Sequence, residues 1–101
     1  MNAKPRRLTL AVKGEYFDQI ACGEKPEEYR LVTAYWTKRL VGRAYDEVEI
    51  TRGYPPAGDQ SRRLVFPWRG YACRQITHPH FGSSPVDVFA IRVGSADAIT
   101  E

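Results

Sequence analysis

Cysteine and histidine are scarce in this chain, which holds two of each among 101 residues. Cys22 and Cys73 are too few for the disulfide framework of a small secreted domain, and they read as buried or half-buried thiols of a reducing compartment. His78 and His80 flank a single proline, and neither cysteine stands at a ligand spacing from them, so no metal is expected. No apolar run reaches bilayer length, and the opening residues MNAKPRR lack the apolar core of a signal peptide. A cytoplasmic protein without membrane contact is the expectation. Internal repeats and low-complexity tracts are absent. So are a catalytic-triad pattern, a glycine-rich phosphate loop and any residue set that calls for a cofactor.

What remains is ordinary globular material, 43% apolar and 27% charged, long enough to bury one core without staples. A single domain with a core over residues 7 to 94 is expected, preceded by a loose arm and followed by the polar tail GSADAITE. Net charge is +3, from 15 basic and 12 acidic side chains, which permits a nucleic-acid partner without requiring one. The basic residues cluster at Lys4 to Arg7, Lys38-Arg39, Arg62-Arg63, and Arg69 with Arg74. Arginine predominates over lysine, which suits forked recognition of phosphate or carboxylate.

Periodicity places the elements. Leu8, Leu10 and Val12 share one face of a first strand, residues 8 to 12. Tyr16, Phe17, Ile20 and Ala21 repeat at helical spacing over residues 14 to 22, with Glu15 in the first turn and Gly23 available as a left-handed cap. Pro26 holds Lys25 out of the helical region, so the chain leaves extended and runs as a strand to about residue 32. A second short helix follows, with Thr33 as its cap, Trp36 and Leu40 on one face, and Gly42 ending it. Residues 46 to 52 alternate, with Val48 and Ile50 inward against Glu47, Glu49 and Thr51 outward. Leu64, Phe66 and Trp68 mark the inner face of a further strand whose end Pro67 demotes to an edge or bend. Residues 71 to 76 and the apolar residues 86 to 93 complete the set, the last reading as a strand covered on both faces. A sheet-rich chain with two early helices is α+β, and a small, largely antiparallel closed barrel suits it, with the first helix packed against an open end.

The densest stretch is GEKPEEYR, residues 23 to 30. A period of two after Pro26 puts Glu28 and Arg30 on one face, and Lys25 at the turn can point toward it. The spacing Gly23-x-Lys25-x-x-Glu28-x-Arg30, after a strand and a helix and before several more strands, resembles the signature of the ASCH family. The resemblance covers roughly residues 7 to 94 and implies an ASCH-like domain with a PUA-like β-barrel, whose motif lines a pocket between the helices and the barrel. In its amidohydrolase branch a threonine nucleophile lies three residues after the motif lysine. That position is Glu28 here, so the deacylating activity loses its nucleophile.

Three sets of residues are candidates for function. Lys25 and Arg30 would meet an anion, while Glu28 orients them, accepts a base edge or takes a proton. The alternative for the same charges is an ion-pair cluster that ties the turn to the sheet. His78 and His80 could move protons near neutral pH, contact phosphate, or shape their loop. Arg52 and Tyr54 in the loop RGYPPAGD, with Arg62 and Arg63 beyond it, could stack on and pair with a nucleotide. Most other aromatics belong to the core, and Trp36, next to Tyr35 and before Lys38-Arg39, repeats the stacking idea more weakly. Binding of RNA or a modified nucleotide is the leading expectation. A metal-independent ribonuclease or other nucleoside-directed hydrolase using Lys25, Glu28, His78 or His80 is the alternative. A non-enzymatic regulatory interaction protein is a third.

Overall fold

The computed structural model describes residues 4–93. The predicted polar tail, residues 94 to 101, and the first three residues of the arm lie outside them. The chain forms β1 (Arg7–Val12), α1 (Gly14–Ala21), β2 (Glu27–Leu31), α2 (Ala34–Leu40), β3 (Glu47–Arg52), β4 (Arg63–Pro67), β5 (Tyr71–Ile76) and β6 (Val86–Arg92). Short 3-10 turns occupy Gln60–Arg62 and Pro79–Phe81.

Among the described residues the expected closed barrel is not formed. The strands make two open sheets of three, ordered β1-β3-β4 and β2-β6-β5. Pairing is largely antiparallel, in three of the four strand pairs, while β1 runs parallel to its neighbour β3. Closure would need backbone pairing between edges of the two sheets. At one seam the carbonyl of Ala11 on edge strand β1 is met instead by a side chain, Arg30 Nη2 of edge strand β2, at 2.9 Å. At the other, β4 and β5 are consecutive but part company where Pro67 ends β4 and Gly70 turns at φ +80°. The described residues therefore form a small α+β domain of two open sheets and two helices.

The core lies between the sheets and under the helices. The parallel register sets Leu8 against Val48 and Leu10 against Ile50, and β4 adds Phe66 opposite Val48. From the second sheet β6 contributes Phe89 and Ile91, α1 adds Phe17 and Ile20, and α2 adds Leu40, all buried. Each fully buried aliphatic side chain contributes about 1.5–3 kcal/mol over exposure. On β6 four successive residues, Val88 to Ile91, are buried, because this central strand is covered on both faces.

The outward placement of Glu49 and Thr51 needs correction, since both are buried. β3 is the central strand of its sheet, so long neighbours close over its outer face: Arg7 and Arg63 lie 3.8 and 3.5 Å from Glu49, and Thr9 donates to it at 3.2 Å. The cysteines also differ from expectation, for both are exposed. Cys22 caps α1 beyond its buried face, and Cys73 sits mid-strand on edge strand β5.

Candidate functional site

The site begins with how α1 ends. Its buried face of Phe17 and Ile20 fixes the helix on the core, and Gly23 at φ +88° reverses the chain. The Lys25 amide then donates back to Gln19 O at 3.1 Å, which sets the lysine directly over the start of β2. Pro26 O accepts from Val93 N at 2.9 Å, so β2 enters its sheet already paired. In the β2–β6 register Glu28 faces Ile91 and Arg30 faces Phe89, which puts both charged side chains on the core side of the sheet.

These charges are largely withdrawn from water. Glu28 is only 5% exposed, and the side chains of Lys25 and Arg30 are 12% and 16% exposed. Arg30 Nη1 donates to Glu28 Oε2 and to Tyr29 O, and Nη2 reaches Ala11 O. Lys25 Nζ donates to Glu27 O at 2.7 Å and lies 3.4 Å from Glu28 Oε1, an ion pair without hydrogen-bond geometry. Glu28 Oε1 thus remains a buried acceptor with no hydrogen bond among the described residues. A buried carboxylate oxygen in that state relies on the nearby ammonium of Lys25 for its compensation.

A cleft of about 640 Å³ opens over this group. One wall comes from α1, β2 and the loop after β5, where Tyr16 meets the imidazoles of His78 and His80 and Tyr29 meets that of His78. Lys25 Nζ sits 4.3 Å from the centroid of the Tyr29 ring and 5.6 Å from that of Tyr16. Burial pushes both phenols above their usual pKa, so they stay neutral hydrogen-bonding groups at neutral pH. The opposite wall is the start of α2, held by Thr33 Oγ1 accepting from Trp36 N at 3.2 Å. Arg30 lies under the Trp36 ring, 5.2 Å from its centroid.

His78 has a local task as well. Its Nδ1 accepts from His80 N at 3.1 Å and caps the 3-10 turn Pro79–Phe81, which leaves the proton on Nε2. At the rim stands Tyr54, 94% exposed. Its position follows from Gly53, which turns at φ +68° and donates to Val12 O at 2.9 Å.

The cleft therefore gathers Lys25, Glu28, Arg30, Tyr54, His78 and His80. It does not include Arg52, Arg62 or Arg63. Arg52 lies 3.3 Å from Asp18 and packs on Gly14, and Arg62 lies 3.6 Å from Asp59. Arg63 is a strut, paired with Glu49 and donating to the carbonyls of Pro55 and Pro56. Tyr16 and Phe81 are lining residues that the sequence did not single out. Tyr16 was legible only as part of the helix's apolar face, and it sits where that face runs past the core into the cleft.

Among the described residues no three or more histidine, cysteine, aspartate or glutamate side chains come together as a metal site. No helix there is long and apolar enough to cross a membrane. Comparison with family models, characterised proteins and solved structures finds no match to this chain.

Proposed function

We propose that the cleft binds a nucleotide unit, as part of an RNA or as a modified nucleotide, with the base held among the aromatic rings. The observation that carries this is a cleft of about 640 Å³ in which a charged group of net +1 (Lys25 and Arg30 against Glu28) meets several aromatic rings. That volume suits one small ligand. Aromatic faces hold bases by stacking, and the excess positive charge suits an anion. The spacing of Gly23, Lys25, Glu28 and Arg30, which resembles the ASCH signature, supports the same assignment.

Titration with nucleoside monophosphates and a short single-stranded RNA, followed by tyrosine and tryptophan fluorescence or calorimetry, tests it. Lys25→Ala is expected to weaken binding at least tenfold while the variant stays folded. Equal affinity for wild type and variant removes the cleft from consideration.

A hydrolase acting on the same ligand is the second reading. The observation in its favour is that His78 and His80 line the cleft that holds Lys25. His78 Nε2–H and the His80 ring would exchange protons while Lys25 stabilises developing charge on phosphate. Cleavage of labelled RNA in chelator, lost in His80→Ala, would support it. Binding without turnover would leave the protein a binding module.

A further inference from the structure

We infer that α2 and the turn after it carry the phosphate backbone of a single-stranded RNA whose base occupies the cleft. This rests on the nucleotide reading above and narrows its ligand from a free nucleotide to a polynucleotide. The starting point is which cations lack counter-charges. Residues 29 to 45 contain no aspartate or glutamate. Within them Lys38, Arg39 and Arg43 form no ion pair among the described residues, whereas Arg52, Arg62, Arg63 and Arg74 each have a carboxylate within 4.0 Å. Arginines that already hold a carboxylate give little to a phosphate, because one anion must be exchanged for another.

The geometry of α2 makes the unpaired cations a path. Tyr35 and Trp36 in its first turn line the cleft. Arg39, one turn on, lies 3.6 Å from the centroid of the Tyr35 ring, giving a stacked guanidinium and phenol beside the cleft. Tyr35 is 56% exposed, so this platform faces solvent. Lys38 is exposed on the last turn. Arg43 follows, its Nε donating to Lys38 O at 3.2 Å while its Nη groups have no acceptor among the described residues. It opens into a second cleft of about 500 Å³ that also holds Arg6 and Arg7. Those two are paired with Asp46 and Glu47, so Arg43 is the uncompensated cation there.

Helix-dipole stabilisation accounts for a cation in the last turn of α2. Capping of Lys38 O accounts for the Nε of Arg43, but neither effect accounts for its Nη groups, which have no acceptor among the described residues, or for the Arg39 guanidinium stacked on the exposed Tyr35 ring. A stacking platform next to a base-sized cleft, continued by cations without counter-charges, is the pattern of single-strand recognition.

The test uses the full chain, a mixed-sequence single-stranded RNA 12-mer, nucleoside 5′-monophosphates and anionic lipid vesicles. K38Q/R39Q/R43Q is expected to lose at least tenfold in affinity for the 12-mer at low salt. Its log–log salt slope should fall by about 2, since each single-strand phosphate contact is worth roughly 0.7. R43Q alone should lower the slope by about 0.7 with the fold undisturbed, which covers the case of a poorly folded triple variant. Mononucleotide binding should stay within twofold of wild type. R52Q/R62Q, whose arginines are paired, should leave the slope unchanged. The inference is overturned if wild type fails to bind the 12-mer, if the slope ignores Lys38, Arg39 and Arg43, or if vesicles rather than RNA depend on them. Should mononucleotides fail to bind while the 12-mer keeps its dependence on the three cations, the cleft assignment falls and the phosphate path stands.

Discussion

Arg30 on β2 donates to the carbonyl of Ala11 on β1 at 2.9 Å, so a side chain joins the two sheets at an edge where backbone pairing would have closed a barrel. The same guanidinium holds the carboxylate of Glu28 and the carbonyl of Tyr29. Three acceptors thus depend on one arginine beside the cleft.

Removing it should be expensive. Arg30→Ala leaves Glu28, only 5% exposed, with Lys25 as its one remaining ionic partner among the described residues and strips the donor from Ala11 O. Losing one partner of a buried pair costs about 3–5 kcal/mol, read as a shift in the urea unfolding curve. Arg30→Lys should recover only part, because an ammonium cannot reproduce the planar fork. E28Q/R30M, which removes both charges, should cost less than Arg30→Ala alone. A loss under about 1 kcal/mol for Arg30→Ala would show that water already serves these acceptors.

Much of the fold was legible because strand and helix patterns are local. Thr33 as a cap, Gly23 and Gly42 as left-handed residues, and Pro67 at a strand end were set by the residues themselves. The pairing of edges was not, since whether β1 meets β2 by backbone or by Arg30 depends on residues 19 positions apart. The arginines show the same limit. Sequence displays the charge of Arg52 and Arg63 but not Asp18, 34 residues away, or Glu49, 14 residues away, which occupy them. Lys25, Glu28 and Arg30 came together as expected because Pro26 and the strand period act within six residues.

Acid should weaken a different contact. Arg74 donates to Glu27 at 3.1 and 2.7 Å and holds its carboxyl below the usual range. A folded-state pKa below the unfolded one, about 4.3 for Glu, gives stability that is present above that value. It is lost as pH falls through the depressed pKa. The difference in unfolding midpoint between wild type and Arg74→Ala should therefore be larger at pH 6 than at pH 2–3. A difference independent of pH would assign the effect of Arg74 to packing.

At the start of α1, Gly14 is a site for stabilisation. An added methyl would lie 2.7 Å from the Arg52 guanidinium carbon, the far end of a flexible side chain that is 45% exposed. That group can swing into water, and its exposed pair with Asp18 is worth little. Replacing glycine then gains from reduced unfolded-chain freedom, so Gly14→Ala should raise stability by about 0.4–1 kcal/mol in thermal or urea unfolding. Destabilisation would mean that Arg52 is held in place more firmly than a surface ion pair allows.

Tyr54 separates binding from folding most cleanly. It is 94% exposed at the rim of the cleft, and its ring makes no aromatic contact among the described residues. Tyr54→Ala should therefore leave stability within about 0.5 kcal/mol. If a base stacks on the ring, the same change should weaken RNA binding by about 1–3 kcal/mol. The salt slope should stay as in wild type, because a phenol neutralises no phosphate. Tyr54→Phe keeps the stacking face and should restore affinity. Recovery with Phe but not with Leu would assign the contact to the aromatic face, since Leu supplies apolar area alone. Unchanged affinity in Tyr54→Ala would place the base deeper, against Tyr16 and Trp36, and leave the rim as plain solvated surface.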